Sequence, residues 1–333
     1  MNDVSPLIAA QQRYANAVPF RALPAQSCRL TEAPGRVLSA DFVAPMDAPP
    51  YSRAIAEGFV VHTGDSRGAD EKAPVRFRVT GVCNPGDAQC PTFGKGEAVS
   101  VVTGSIIPDG EYSVVRMWDC ERSDDGFSIT RPFAPRFFIE DRGCDHPRGK
   151  VVVSGGTLLG PAEIGSIASF GVATVDVARL PVVKLFSSGN EVIPLTEKMR
   201  PGAIFDCNAP MLSAAVAQCG ATPVFGGIMH DDFDAFVVAV RQALRDADMV
   251  LISGGTAVGG RDFIADLVAA VGELIVNGVP MKSGKPLIMG IAGGKPLVCV
   301  AGHPPEALRG FRLFGVPALH RLTGRNAELP VDE

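Results

Sequence analysis

The chain's 333 residues are more than one hydrophobic core usually organises, so two or three domains are expected and a disulfide-stapled mini-protein is excluded. Lys plus Arg total 31 against 36 for Asp plus Glu, a net charge of −5; this leaves no general basic surface for nucleic acid or anionic lipid, and any anion site must be local. Hydrophobic residues at 46% and charged ones at 20% are globular values, and 37 Gly with 27 Pro forecast many tight turns without low-complexity disorder.

The longest uncharged stretch, Cys207 to Met229, is broken by Asn208, Pro210, Gln218, Gly220 and Pro223, so no membrane span is expected. Before Phe20 the chain carries Asp3 and Gln11-Gln12-Arg13 rather than a basic start and an apolar core. A cleaved secretory signal is therefore not expected, and the cytoplasm is the expected address. The eight cysteines form no C-x-x-C pair and the five histidines no H-E-x-x-H spacing, which removes support for zinc or haem and points to free thiols in a reducing compartment.

In chain order, Ser5-Pro6 ahead of Leu7-Ile8-Ala9-Ala10 predicts a helix that ends before Pro19, because Ser accepts from free N–H groups and Pro suits the first turn. From Gly58 to about Arg131 come short β-rich runs: Phe59–Val61, Val75–Val79, Ala98–Val102 and Phe127–Thr130. Gly, Pro and Asp clusters separate them, predicting a small all-β domain. Pro161 to Gly171 reads as a short helix between the strands Val151–Val153 and Thr174–Val177.

The pattern then becomes α/β. Val182–Phe186 is a buried strand, Asn208 is expected to cap a helix carrying Leu212, Ala215, Val216 and Cys219 on one face, and Gly220 ends that helix. Val224-Phe225 is the next strand, Asp232 starts a helix with Phe233, Phe236, Val237, Val240 and Leu244 inward, and Met249–Ile252 leads to a helix near Phe263 to Ala270. Such alternation predicts a parallel sheet with helices on both faces, which binds ligands beyond the carboxyl ends of its strands.

Loops at those ends combine small residues with carboxylates: Ser187-Ser188-Gly189-Asn190-Glu191, His230-Asp231-Asp232, and Ser253-Gly254-Gly255 running to Asp262. Glycine admits an anion close to backbone N–H groups, and a following helix start adds positive dipole, which suits a phosphate-bearing ligand. The same glycines also suit an ordinary strand-to-helix turn, since the loop is neither G-x-G-x-x-G nor a P-loop. Lys282 and Lys285 flank Gly284 where two ammonium groups can converge on an oxyanion, or simply remain solvated. Gly302-His303-Pro304 ends the next apolar strand; His303 has no visible catalytic partner and reads more simply as a hydrogen-bonded loop residue.

The order of these motifs resembles the molybdopterin molybdotransferase family over almost the whole chain. Gly35-Arg36-Val37-Leu38 with Asp41, Pro45 and Asp47-Ala48-Pro49 is similar to the family's linker segment. Glu57-Gly58-Phe59-Val60 falls where the family has Asp-Gly-Tyr-Ala, and Val102-Thr103-Gly104-Ser105 with Pro108-Asp109-Gly110 resembles its Thr-Gly-Ala, Pro-x-Gly turn. Arg142-Gly143-Cys144-Asp145 resembles Arg-Gly-Glu-Asp, and Ser188-Gly189-Asn190-Glu191 resembles Thr-Gly-Asp-Glu. Ser253 to Asp262 resembles the Ser-Gly-Gly-Val-Ser-Val-Gly loop with its Asp, and Met281 to Pro286 the Lys-Pro-Gly-Lys-Pro segment. Departures are Glu57 for Asp, Asn190 for a carboxylate, Gly278 for an upstream lysine, Ser283 for proline, and Gly302-His303-Pro304-Pro305-Glu306 for Gly-Asn-Pro-Val-Ser.

The resemblance implies a multi-domain α/β protein. Its linker domain is expected at residues 1–45 and 141–178, an inserted β domain at 46–140, a pterin-binding α/β domain with a largely parallel sheet at 179–326, and a tail at 327–333. The family's further C-terminal β-barrel is expected to be missing, since the sequence ends at Glu333 soon after its last helix. The implied reaction joins adenylated molybdopterin and molybdate into molybdenum cofactor, releases AMP and uses Mg²⁺. Glu191, Asp231, Asp262, Lys282 and Lys285 are the implied catalytic residues, with Glu191 and Asp262 as metal ligands. The simpler structural reading of Asp231 or Asp262 is a cap at a helix start. Thr103, Ser188, Gly189, Ser253, Gly254, Gly255, Gly259, Gly302 and Pro304 are the implied substrate contacts, and Glu57 the contribution of a partner protomer in a homodimer. A molybdenum-enzyme client is a further implied partner. Two alternatives stay open: a non-catalytic carrier of pterin or cofactor, to which the substitutions point, and an ATP-dependent adenylyl transfer to molybdopterin, the chemistry of related pterin-binding domains with a Ser/Thr-Gly-Gly loop.

Overall fold

Long apolar strands need cover on both faces, and the longest in this chain build the sheet that carries the site. The computed structural model describes residues 6–20, 22–230, 232–255, 263–279, 286–325 and 328–330. They divide into one unit of Met1–Asp41, Ser154–Gly165 and Val172–Glu333, and a second of Phe42–Val153 and Ser166–Gly171.

In chain order the main elements are α1 (Pro6–Ala17), β1 (Ala25–Arg29), β2 (Gly58–His62), β3 (Val75–Cys83), β4 (Glu97–Val101), β5 (Tyr112–Arg116), β6 (Glu121–Ser123) and β7 (Gly126–Ile129). There follow α2 (Pro161–Ala168), β8 (Thr174–Ala178), β9 (Val182–Ser188), α3 (Asn208–Gln218), β10 (Thr222–Met229), α4 (Phe233–Asp246), β11 (Met249–Gly254) and α5 (Phe263–Val271). The series ends with β12 (Glu273–Asn277), β13 (Ile288–Ala292), β14 (Lys295–Val300), α6 (Pro304–Gly310) and α7 (Val316–Leu322).

The second unit holds a six-stranded sheet in the order β5-β2-β4-β3-β7-β6. Its two faces follow the period of two along the strands. Phe59, Val61 and Val115 join one apolar cluster with Phe77 and Phe127, while Val60, Val99, Val101 and Val114 join another. Phe127 stacks between Phe59 and Phe77 at 4.3 and 5.3 Å, which fixes the register of β7. The sequence reading omits β5, whose apolar pair Val114-Val115 is short and set between polar Ser113 and Arg116.

In the first unit six of the described strands form a sheet in the order β10-β9-β11-β14-β13-β12, while β1 pairs with β8. β10, β9, β11 and β14 are parallel, as expected for alternating strands and helices. β13 runs antiparallel to both its neighbours, β14 and β12, a departure from a wholly parallel sheet. The reason lies in Gly293-Gly294: both have positive φ, 57° and 75°, and Ala292 pairs with Lys295 across them. A two-residue turn of that kind makes a hairpin, whereas a parallel return needs a long crossover.

Alternate residues of β11 feed opposite cores. Met249 and Leu251 pack with Leu212 and Val216 of α3 and Phe311 and Phe314, and Val250 and Ile252 with Phe236 and Val240 of α4 and Leu267 of α5. α1 joins the first of these cores through Tyr14, whose hydroxyl donates to the Leu297 carbonyl at 3.1 Å. Gln11, also buried, donates to the Leu313 carbonyl at 3.1 Å. Both contacts satisfy polar groups that would otherwise weaken the core.

The entrance of β11 is held by an ion pair. Arg179 donates to both Asp248 oxygens at 2.6 and 2.7 Å, and the Val182 N–H donates to Asp248 Oδ2 at 2.8 Å. Burial pushes the Asp248 carboxyl up, but the Arg179 and Val182 hydrogen bonds outweigh it and hold it below its ordinary value. Asp248→Ala is expected to lower stability by about 1–3 kcal/mol, because it leaves the Val182 donor and the half-exposed Arg179 without their partner. A carboxyl that is more acidic when folded stabilises above its unfolded pKa and loses that effect as pH falls through its folded one. Urea denaturation across a pH series should therefore show the gap between native chain and variant closing in acid; a pH-independent gap would contradict this account.

Candidate functional site at the strand ends

Three parallel strands deliver small residues to one place: β9 ends in Ser187-Ser188, β11 in Ser253-Gly254, and β14 runs on to Gly302. A cavity of about 850 Å³ opens there, lined also by Gly189, Glu191, Asp206, Asn208, Gly255 and Pro304. The strands approach closely because Gly254, at φ +90°, brings its Cα against Ser188; a Cβ there would sit 2.4 Å from the Ser188 carbonyl oxygen. Gly189 has φ +147°, and the Glu191 carboxylate folds back over it, within 2.7 Å of where a Cβ would lie.

Asn208 ties the wall together. Its Nδ2 donates to Ser253 Oγ at 2.6 Å and to the Gly302 carbonyl at 2.7 Å. Ser253 Oγ in turn donates to the Ala301 carbonyl at 3.2 Å. The role expected of Asn208 as the cap of α3 is corrected by this geometry. Asp206 takes that place, its Oδ1 accepting from the Ala209 N–H at 3.0 Å, which frees the Asn208 amide to face the strands. Asp232 does cap α4 as expected, accepting from the Ala235 N–H at 3.0 Å.

Polar atoms are left over in the same wall. Ser187 Oγ, Ser188 Oγ, Asp206 Oδ2 and Asn208 Oδ1 are buried without a hydrogen-bond partner. An unpaired buried polar atom costs about 1–3 kcal/mol, so such a concentration offers hydrogen-bonding positions to a ligand or to ordered water. The described lining carries the carboxylates of Glu191 and Asp206 and no Lys or Arg.

Of the expected site residues, the cavity gathers Ser188, Gly189, Glu191, Ser253, Gly254, Gly255, Gly302 and Pro304. Asp231, Gly259, Asp262, Lys282 and Lys285 lie outside the described residues. Glu57 and Thr103 belong to the second unit, where both are exposed on turns flanking β2 and β4. His303 is exposed at the start of α6 and makes no side-chain capping bond there. Sequence reading missed Asp206 as a wall residue, although Asp206-Cys207-Asn208 places two hydrogen-bonding side chains two residues apart just before a helix. A further cavity of about 400 Å³ in the second unit is lined by Tyr51, Phe93, Ile106 and Tyr112, among others, and contains no expected site residue.

A doubly covered, mostly parallel sheet with glycine turns and unpaired polar atoms at its strand ends defines an α/β ligand-binding protein. Residues 6–171 match the MoeA N-terminal region (domain I and II), and residues 184–321 match a probable molybdopterin binding domain. The molybdopterin molybdenumtransferase of Staphylococcus aureus (strain Mu50) is 30% identical over 320 residues, covering 96% of this chain and 76% of the relative. That of Staphylococcus epidermidis (strain ATCC 12228) is 29% identical over 302 residues, covering 90% of this chain and 72% of the relative. A crystal structure of the molybdopterin biosynthesis MoeA protein of Pyrococcus horikoshii is similar with a TM-score of 0.79 at 31% identity, covering 97% of this chain and 81% of that one. The chain belongs to the molybdopterin molybdotransferase family, and so to molybdenum cofactor biosynthesis.

Because Gly254 meets backbone rather than a flexible side chain, Gly254→Ala must force β9 and β11 apart at the cavity. The expected result is a loss of about 1–3 kcal/mol in stability together with weaker ligand binding, read by thermal denaturation and calorimetry. An alanine variant with native melting and native binding would show that the close approach is dispensable.

Proposed function

We propose that this protein inserts molybdate into adenylated molybdopterin, releasing AMP and forming the molybdenum cofactor in the cytoplasm for a client molybdenum enzyme. The observation that carries the reading is the strand-end cavity, where glycine turns, serine hydroxyls and the Glu191 carboxylate surround a wall with unsatisfied polar atoms. Family membership supports the same reading.

The chemical task is to bring two anions together and split a phosphoanhydride. The backbone N–H of Gly255 suits a phosphate oxygen, whereas that of Gly189 is committed to the Met229 carbonyl at 3.1 Å, and Lys282 and Lys285 would offset the charge of molybdate and phosphate. Glu191 and Asp231 would position water or hold a proton near the reacting phosphorus. A hard divalent cation requires oxygen donors, and the cavity offers them in the Glu191 carboxylate, although no three acidic, His or Cys side chains converge among the described residues. Glu191 with Asp262 would hold Mg²⁺, which when bound neutralises charge on phosphate oxygens. In a homodimer, Glu57 and Thr103 of one protomer would complete the cleft of the other.

Incubation with adenylated pterin, molybdate and Mg²⁺ is the direct test: AMP release with active cofactor, and no requirement for ATP, is the expected outcome. Tight pterin binding without AMP release would leave a carrier instead. Glu191→Gln is expected to slow AMP release about 100-fold, while Lys282→Ala and Lys285→Ala each weaken molybdate binding about 10- to 100-fold with unchanged melting. Mixing inactive Glu57→Ala and Asp262→Ala chains should restore about a quarter of the sites if dimers form at random, since half of the dimers then contain one intact cleft. No recovery after subunit exchange would confine these residues to one chain.

A further inference from the structure

The unpaired atoms of the cavity wall have a definite polarity. The Gly302 carbonyl can only accept, so the Asn208 nitrogen must face it and Oδ1 is the amide atom left without a partner. Asp206 Oδ1 is committed to the Ala209 N–H, which leaves Oδ2 as its unpaired atom. Both side chains are more than nine-tenths buried, at 6% and 8% exposure. The wall thus carries two acceptors from one short segment, and Ser187 and Ser188 contribute hydroxyls able to donate. The neighbouring Ile204 and Phe205 also line the cavity and supply apolar surface for a flat ring.

Two acceptors accompanied by a donor ask for a ligand edge of two N–H donors accompanied by an acceptor. The 2-amino-4-oxo edge of a pterin has that order: its exocyclic amine and ring N3–H donate, and its O4 accepts. Adenine alternates donor and acceptor along its pairing edge and satisfies only one of the two acceptors. We propose that Asp206 Oδ2 and Asn208 Oδ1 read the amino and N3–H donors of the pterin, with the Ser188 hydroxyl donating to O4. The inference rests on the reading of this cavity as the pterin's site. It makes Asp206 and Asn208 specificity-determining residues that hold the ring while the phosphates extend toward the glycine turns.

The test compares a 6-substituted pterin with the corresponding lumazine, in which the 2-amino group is replaced by a carbonyl that would face an acceptor. Fluorescence titration of the native chain is expected to show pterin preferred by about 10- to 100-fold, the worth of one hydrogen bond to a charged group. Asp206→Asn keeps an oxygen for the Ala209 cap and turns the second atom into a donor. This variant should lose most of the pterin preference while AMP binding, followed separately by calorimetry, stays unchanged. Asp206→Ser, which can still cap the helix but offers nothing at the second position, should lose affinity for pterin and leave AMP binding intact. Native chain that binds pterin and lumazine equally overturns the inference and leaves the cavity's assignment standing. Loss of AMP binding in Asp206→Asn only when Mg²⁺ is present would assign the oxygen to a cation and overturn it as well. Native chain that binds neither pterin nor AMP would remove the assignment of the cavity together with the inference.

Discussion

One side-chain amide holds the site in shape. Asn208 begins α3, yet its nitrogen reaches the end of β11 through Ser253 and the turn after β14 through the Gly302 carbonyl. Three elements that the chain visits far apart therefore share a single hydrogen-bonded junction. Because Asp206 caps α3, the helix does not compete for that amide. Buried hydrogen bonds to matched partners are worth most where water is absent, and here they also fix which polar atoms remain available for a ligand.

The junction works because the strands beneath it are rigid. β9, β11 and β14 are packed from both faces, so their ends are held by two apolar cores rather than by loops. Gly254 lets the backbone of β11 come against Ser188, and the ion pair of Arg179 with Asp248 anchors the opposite end of the same strand. Sites supported by packed elements keep their geometry better than sites carried on loops alone. The glycine turns add what side chains cannot, a close approach of backbone at the cavity.

Much of this was legible in the sequence, for physical reasons that differ by element. Met249–Ile252 and Phe233–Leu244 announce themselves because burial on two faces or one demands continuous or 3.6-periodic apolar residues. Ser253-Gly254-Gly255 and Ser188-Gly189 were legible as strand-end turns, and glycine's freedom allows both a tight turn and a close backbone approach, so only the fold shows that they line one cavity. The hairpin at Gly293-Gly294 carries a strong local signal too, but its effect on strand direction depends on which strand β13 joins. The division of labour between Asp206 and Asn208 was not legible. Either can cap a helix, and only the proximity of Ser253 and Gly302, far away along the chain, decides which one does.

The way α1 is tied in bears on how the protein is made. Tyr14 and Gln11 bond to Leu297 and Leu313, partners 283 and 302 residues downstream. A nascent chain emerging from the ribosome thus presents its first helix long before that helix has a surface to cover. The β sheet of the second unit draws its strands from Gly58 to Ile129 and can close while the rest is still being synthesised. The α/β unit must wait for those distant partners, so the contacts of α1 close loops of 283 and 302 residues. Synthesis therefore orders the folding: the sheet of Gly58 to Ile129 can form first, and the strand-end cavity is completed only when β14 and the start of α6 have left the exit tunnel.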